Sequence, residues 1–391
     1  MLSGTCASFT EVACASGATL TPALTSPLTQ GNTYYIRIHK NTSGIIALSH
    51  TFDICVTDAF QRGSRMNEIF ARTVLSPASV LNYPWEVTYG VDGNLWVTEA
   101  QGYKMSKIDP NTGVKTTVLD LSAGSTWLPS PLDSLNGQIN SSWSPWPQGG
   151  FAGMALHPNF LDGTGNTDFV YVAYVHRFLS GTAPSGLFYR NKLVRFTYNS
   201  GTGKLEAPVV ICDTLPGSKD HNSQRMIIAP VVKGGTNYLF YGEGDMGAGQ
   251  FENQTRTNKA QNVSSYEGKI LRFNLVPDVP AGAAPWIPDD NPYSPTSAVY
   301  AVGFRNNQGF AYDTALNILY GSSHGPYSDD EINIIEPHRN YGHPLVIGYA
   351  EGNYNGNPVQ GSNNSISAGA AWGTLIPAFP AALLLVMKQL M

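Results

Sequence analysis

The chain has 391 residues, a formal net charge of −5 and only 13% charged residues, about half the usual share. There is no basic stripe, which argues against nucleic acid as a partner. Gly (40) and Tyr (20) are abundant, a composition of short strands and tight turns rather than of helical bundles.

Residues 1–58 read as a partial β-sandwich module. "NTYYIRIHK" and "HTFDICVTD" alternate apolar and polar residues, the period of half-buried strands. Three of the four cysteines, Cys6, Cys14 and Cys55, fall here, with Cys212 far downstream. No CxxC pair exists. Cys6 and Cys14 could close a small disulfide loop, which would suit an extracytoplasmic protein. "LSGTCASFTEVAC" after Met1 has neither a basic start nor an apolar core and reads as the interior of a domain. Residues 59–82 form a linker with a short helix expected over "RMNEIFART".

A repeating pattern occupies residues 83–391. "DGNLWVTEAQGYKMSKIDPNTGVKTTVLDL" reads strand, turn, strand, turn, strand. "TDFVYVAYVHRF" leads to "NKLVRFTYNSGTGKLEAPVVI", "TNYLFYGEGDMGAG" to "GKILRFNLV", and "LNILYGSSHGP" to "DEINIIEP". Four sheet-forming units with unequal loops predict an all-β chain with about four blades of a β-propeller; an all-β sandwich is the alternative. The closing "IPAFPAALLLVMKQLM" is interrupted by Pro377 and Pro380. Its unbroken part falls short of the ~20 residues a membrane span needs, so it reads as a buried segment.

Several short stretches carry chemistry. In "LPGSKDHNSQR", Asp220 precedes His221, a loop histidine beside a carboxylate and a candidate general base. "GFRNNQG" sets Arg305 and Asn306 between glycines, and the guanidinium fork suits a carbonyl or carboxylate. "SSHGPYSDDEINII" places the Gly325-Pro326 turn before Asp329, Asp330 and Glu331. Such oxygen donors suit Ca²⁺, although the spacing is not that of an EF-hand. "NYGHPLVIGYAEGNY" adds Tyr341, Tyr349 and Glu351, and in "WPQGGFAGMALHPNF" Gln148 stands ahead of a glycine turn. No GxGxxG joins a strand to a helix, so a nicotinamide-binding domain is not indicated.

In this order, these stretches resemble the soluble quinoprotein sugar dehydrogenases, the PQQ-dependent glucose, aldose and sorbosone enzymes built on six-bladed propellers. "EGKILRFNL" and "DDNPY" add to the likeness, which covers residues 83–351. The resemblance implies PQQ- and Ca²⁺-dependent oxidation of an aldose at its anomeric hydroxyl, with electrons passed to an external acceptor, in a secreted or periplasmic protein. It implies that His221 is the general base and that Asp220 orients it. Gln148 and Gln250 would contact substrate or cofactor, Arg305 would polarise the quinone carbonyl, and Asn306 would hold the quinone. Gly325 and Pro326 would bind the cofactor's calcium by their carbonyls, with Glu331 and Tyr341 at that site. Ile347, Tyr349 and Glu351 would form a second calcium site, with Glu351 where relatives often carry Asp. Relatives also grip the cofactor with a Lys and an Arg pair from their last blades. After Tyr349 this chain has only Lys388 and no Arg, so it reads as a C-terminally truncated propeller. The competing expectation is a non-catalytic propeller that binds glycan or protein at a cell surface.

Overall fold

The structure is a computed structural model. It describes residues 2–5, 8–11, 34–35, 74–75, 80–122, 149–177, 189–218, 220–230, 234–249, 253, 256–278, 284–325 and 330–345. The chain divides into two compact units, Met1–Arg72 and Thr73–Met391. No α-helix occurs among the described residues, and none of their elements is a helix long and apolar enough to cross a membrane.

In the first unit, β1 (Leu2–Thr5) pairs antiparallel with β2 (Ser8–Glu11) and β3 (Tyr34–Tyr35), in the order β2-β1-β3. Cys6, Cys14 and Cys55, the strand expected over "HTFDICVTD" and the helix expected near residue 70 lie outside the described residues.

The second unit is a run of antiparallel meanders. The first sheet holds β4 (Pro84–Tyr89), β5 (Leu95–Glu99), β6 (Lys104–Ile108) and β7 (Lys115–Asp120). The second holds β8 (Phe151–Leu156), β9 (Phe169–Arg177), β10 (Tyr189–Asn199) and β11 (Lys204–Gly217). The third holds β12 (Met226–Pro230), β13 (Asn237–Glu243), β14 (Lys269–Phe273) and β15 (Val299–Val302). The fourth holds β16 (Asn307–Asp313), β17 (Ile318–Ser323) and β18 (Glu331–Ile334) among the described residues. Each sheet runs in sequence order.

Local chemistry explains the meanders. The β4–β5 hairpin turns on Asp92-Gly93, with Gly93 at φ 75° and Gly90 N–H donating to Asn94 O at 2.8 Å. The β6–β7 turn uses Asp109 Oδ1 as acceptor for Asn111 N–H at 2.7 Å, and Gly113 at φ 71° closes it. Both are positions where a short polar side chain and a glycine set the turn.

Packing between the sheets makes blades. The first strands of neighbouring sheets meet: β4 with β8, β8 with β12, and β12 with β16. Three apolar layers fill the spaces between the four sheets. The first contains Trp96, Tyr103, Phe151, Tyr174 and Phe196. There Trp96 meets Phe160 and Tyr198 edge-on, each with centroids 5.4 Å apart, a favoured arrangement for aromatic rings. The second contains Tyr171, Leu193, Leu239, Tyr241 and Leu271, and the third Phe240, Tyr300, Phe304, Leu319 and Ile335. Arg225, directly ahead of β12, ties first strands together across the middle. Its Nε donates to Gln308 O of β16 at 2.7 Å, and its Nη1 pairs with Glu86 of β4. This is a four-bladed stretch of β-propeller, as the repeating units predicted.

Candidate active site

The site gathers where the loop after β11, the exit of β13 and the entry to β16 come together. The loop after β11 is conformationally demanding. His221, Ser223 and Gln224 have φ of 51°, 56° and 67°, a left-handed region that costs L-residues about 1–2 kcal/mol each. Surrounding bonds hold it there. Asn222 Oδ1 accepts Ser218 N–H at 2.8 Å, Asn253 Nδ2 donates to Ser218 Oγ at 2.7 Å, and Ser223 Oγ bonds Asn307 O. Gly244 passes directly over the loop: a Cβ there would lie 1.7 Å from His221 O.

His221 is buried, and its Nδ1 lies 2.6 Å from Asp245 Oδ1. A carboxylate can only accept, so in the neutral ring Nδ1 carries the proton and Nε2 the lone pair. Asp245 is fully buried and takes four donors. Oδ1 also accepts Gly247 N–H at 3.0 Å. Oδ2 lies 2.8 Å from His343 Nε2 and accepts Asn258 Nδ2–H at 3.1 Å. Burial alone would push this carboxyl up. Hydrogen bonds and electrostatic attraction from the His221 and His343 rings overcome burial and hold it well below the usual carboxylate range.

Asp220, expected to orient His221, occupies a different place. Its Oδ1 accepts the His221 main-chain N–H at 3.0 Å and lies 3.6 Å from Nε2. The hydrogen bond that fixes the ring comes from Asp245 instead.

Arg305 joins this cluster. Its carbonyl accepts Asp245 N–H at 2.8 Å. Its Nη1 lies 3.1 Å from His324 Nδ1 and donates to His324 O at 3.3 Å. Asn306 O accepts His324 N–H at 3.1 Å, and Asn306 Oδ1 accepts Gln308 Nε2–H at 2.7 Å. The residue after His324, Gly325, donates its N–H to Asp330 Oδ1 at 2.9 Å, and its carbonyl contacts His324 Nδ1. A continuous set of bonds therefore runs from His221 through Asp245 and Arg305 to Gly325.

Other predicted residues are less central. Glu331 opens β18 and accepts Asn333 Nδ2–H at 3.1 Å. Tyr341 packs its ring on Phe304 at 4.4 Å, and its hydroxyl bonds Ile334 O and Glu336 N–H. Gln148, Gln250, Pro326, Ile347, Tyr349 and Glu351 lie outside the described residues. Among the described residues, no group of three or more His, Cys, Asp or Glu side chains could hold a metal.

The loop that supplies Asn258 has its own support. Lys269 is fully buried, and its Nζ donates to Lys259 O, Ala260 O and Glu267 O at 2.9, 2.8 and 2.6 Å. Burial pulls its pKa from 10.5 to about 7, with Glu267 opposing. The three carbonyls favour the ammonium form, which can donate to all of them. Nearby, Arg256 Nη2 pairs with Glu267 Oε1 at 2.9 Å, both side chains 5% exposed.

Asp245 and His343 were absent from the sequence expectations, although "GEGDMGAG" and "NYGHPLVIGY" contain them. An acid isolated among glycines was the available signal for Asp245.

A propeller whose inter-blade loops hold a tautomer-fixed histidine and a buried arginine, joined through Asp245, has the build of a quinoprotein-type sugar dehydrogenase. A family model described as "Glucose / Sorbosone dehydrogenase" matches residues 81–380, and the chain belongs to that family. Quinoprotein glucose dehydrogenase B from Acinetobacter calcoaceticus is 32% identical over 320 residues, 78% of this chain and 59% of that protein. Aldose sugar dehydrogenase from Escherichia coli is 33% identical over 139 residues, 34% of each chain. A crystal structure of a glucose dehydrogenase superposes with a TM-score of 0.51 at 21% identity, covering 74% of this chain and 70% of that one, which bears on the fold. The chain thus spans 59% of the length of its Acinetobacter relative.

Proposed function

We propose that this chain supplies the base and the acceptor-side arginine of an extracytoplasmic dehydrogenase. It oxidises an aldose at the anomeric hydroxyl, with PQQ and Ca²⁺ as cofactors and an external electron acceptor. The observation that carries this reading is the His221–Asp245 pair, whose 2.6 Å contact leaves Nε2 bare, linked through one main-chain bond to Arg305.

The donor set fits the cofactors. Arg305 is a buried cation suited to an electron-rich carbonyl, and Asn306 adds an amide. Gly325 offers a main-chain carbonyl and Glu331 a carboxylate, the hard oxygens Ca²⁺ prefers. Pro326 would extend that set, and Tyr341 would meet a cation by its carbonyl, since its phenol is engaged. When bound, PQQ supplies the two-electron acceptor and Ca²⁺ the Lewis acid that no side chain here provides.

The chain's own residues then perform the proton chemistry. His221 Nε2 takes the hydroxyl proton as the anomeric carbon loses hydride. Asp245 keeps the proton on Nδ1 and stabilises the imidazolium that forms, as the carboxylate of a hydrolase triad does. Asp220, 3.6 Å from Nε2, adds a second negative charge at the edge that becomes protonated. Arg305 holds the acceptor end of the site.

The test is reconstitution. The chain incubated with PQQ and CaCl₂ should retain quinone absorbance after desalting and reduce a dye when given an aldose, and His221→Ala should abolish the dye reduction. A parent that neither retains the quinone nor reduces the dye overturns the reading, and an active His221→Ala removes that residue as the base.

A further inference from the structure

Asp245 presents two oxygens, and the proton chemistry uses only one. Oδ1 serves His221, while Oδ2 faces a residue 98 positions downstream, His343, at 2.8 Å. The His343 main chain is held on both sides: its N–H donates to Gly303 O at 3.0 Å, and its carbonyl accepts Gln261 Nε2–H at 2.7 Å. Its ring is 5% exposed. Its Nδ1 meets no hydrogen-bond partner among the described residues. Its Nε2 also lies 3.1 Å from Asn258 Nδ2, itself a donor, so a protonated Nε2 gives its hydrogen bond to Asp245.

We propose that His343 is a positioning residue for the base: by donating from Nε2 to Asp245 Oδ2 it fixes the carboxylate plane, and with it the ring and tautomer of His221. The proposal rests on the reading of His221 as the base. The terminal torsion of an aspartate is broad and two-fold, so donors on one oxygen alone leave the carboxylate free to swing. Imidazoles on opposite oxygens, at 2.6 and 2.8 Å, remove that freedom. Asn258 reinforces the same oxygen at a longer 3.1 Å. An imidazole also suits the position electrically. As a neutral donor it leaves Asp245 its charge, whereas a lysine or arginine would neutralise the carboxylate that must stabilise the His221 imidazolium.

The test uses the whole chain with ring-¹⁵N-labelled histidine, and compares His343→Phe, which keeps a ring but loses the donor, with His343→Gln, which keeps an N–H at similar reach. Without cofactor, the parent should show His221 as a single Nδ1-protonated tautomer with a downfield Nδ1 proton. His343→Phe should lose that signal and His343→Gln should restore it. With PQQ, Ca²⁺ and an aldose, kcat should fall about tenfold in His343→Phe, as expected for a misplaced catalytic group, with KM nearly unchanged and most of the loss recovered in His343→Gln. An unchanged His221 signal in a folded His343→Phe overturns the proposal. So do equal losses in the Phe and Gln variants, which would mark a packing role. If His343→Phe does not fold, Asn258→Ala decides: retention of the His221 tautomer supports His343 as the determining donor, and its loss overturns that. An inactive parent rejects the sugar-oxidation reading, while the ¹⁵N spectra still decide the role of His343.

Discussion

Asp245 and Arg305 are joined through the main chain, the N–H of the first donating to the carbonyl of the second at 2.8 Å. On the proposed reading, this ties the carboxylate that sets the base to the residue at the acceptor end. One hydrogen bond couples the exit of β13 to the turn before β16.

The two acids near His221 differ in what their loss should do. Asp245→Asn can place an amide N–H against Nδ1 and so force the proton onto Nε2, the wrong tautomer for a base. kcat for aldose oxidation should fall by on the order of 10³–10⁴, by analogy with a triad aspartate. Asp220→Asn removes a charge that makes no ring hydrogen bond and should cost about tenfold or less. Steady-state dye reduction with both variants checks the order; a larger loss in Asp220→Asn would reverse the assignment.

Acid should unfold the propeller unit in a way that Asp245 controls. Its folded pKa is depressed, so the unfolded chain binds the proton more readily. The stability it contributes is present above the ordinary value of 3.8 and is lost as pH falls below it. His343 acts in the same direction. Burial lowers its folded pKa below the ordinary 6.5, so its contribution is present above 6.5 and declines below. Urea midpoints between pH 3 and 7 should fall with acid in the parent and flatten at the low end in Asp245→Asn.

Gly244 tests the closeness of the β13 exit to the loop. A Cβ at this position would lie 1.7 Å from His221 O and 2.7 Å from its carbonyl carbon, and neither atom belongs to a flexible side chain. Gly244→Ala should lower stability by about 1–3 kcal/mol and displace His221. Its kcat should fall by more than a factor of ten while the far-UV spectrum stays that of the parent. Parent-like kcat would show that the loop yields without cost to the base.

The Arg256–Glu267 pair is nearly out of water on both sides. Removing Arg256 leaves the Glu267 carboxylate with only Lys259 Nζ among the described residues, at a longer 3.6 Å, so Arg256→Met should cost up to about 3–5 kcal/mol. Arg256→Met with Glu267→Leu should recover most of that loss. Chemical denaturation of the three proteins measures it, and a double variant no better than the single one would contradict it.

Much of the fold was legible because its signals are local. Strands β5 to β7 alternate around Asp92-Gly93 and Asn111-Thr112-Gly113, and β9 to β11 are long enough to show their period. The first strands were harder to read. β12 spans only Met226–Pro230 and ends in proline, and β4 begins with one. The candidate site divides along the same line. Asp220-His221, Arg305-Asn306 and Gly325 announce themselves as short motifs. Asp245 lies 24 residues from His221 and His343 lies 98 from Asp245, so only the stacking of blades brings them together. Adjacency in sequence singled out Asp220, which lies 3.6 Å from His221 Nε2, whereas the hydrogen bond to the ring comes from the distant Asp245.

Lys269 has a practical consequence. Its ammonium gathers Lys259 O and Ala260 O of the turn that presents Asn258, together with Glu267 O just ahead of β14, a task that other loops assign to an ion from solution. This counter-charge is covalently attached and cannot be dialysed away. Treatment with EDTA leaves the Asn258 turn with its cation, so on the proposed Ca²⁺ reading any damage from chelation would be traced to the Gly325 end of the site.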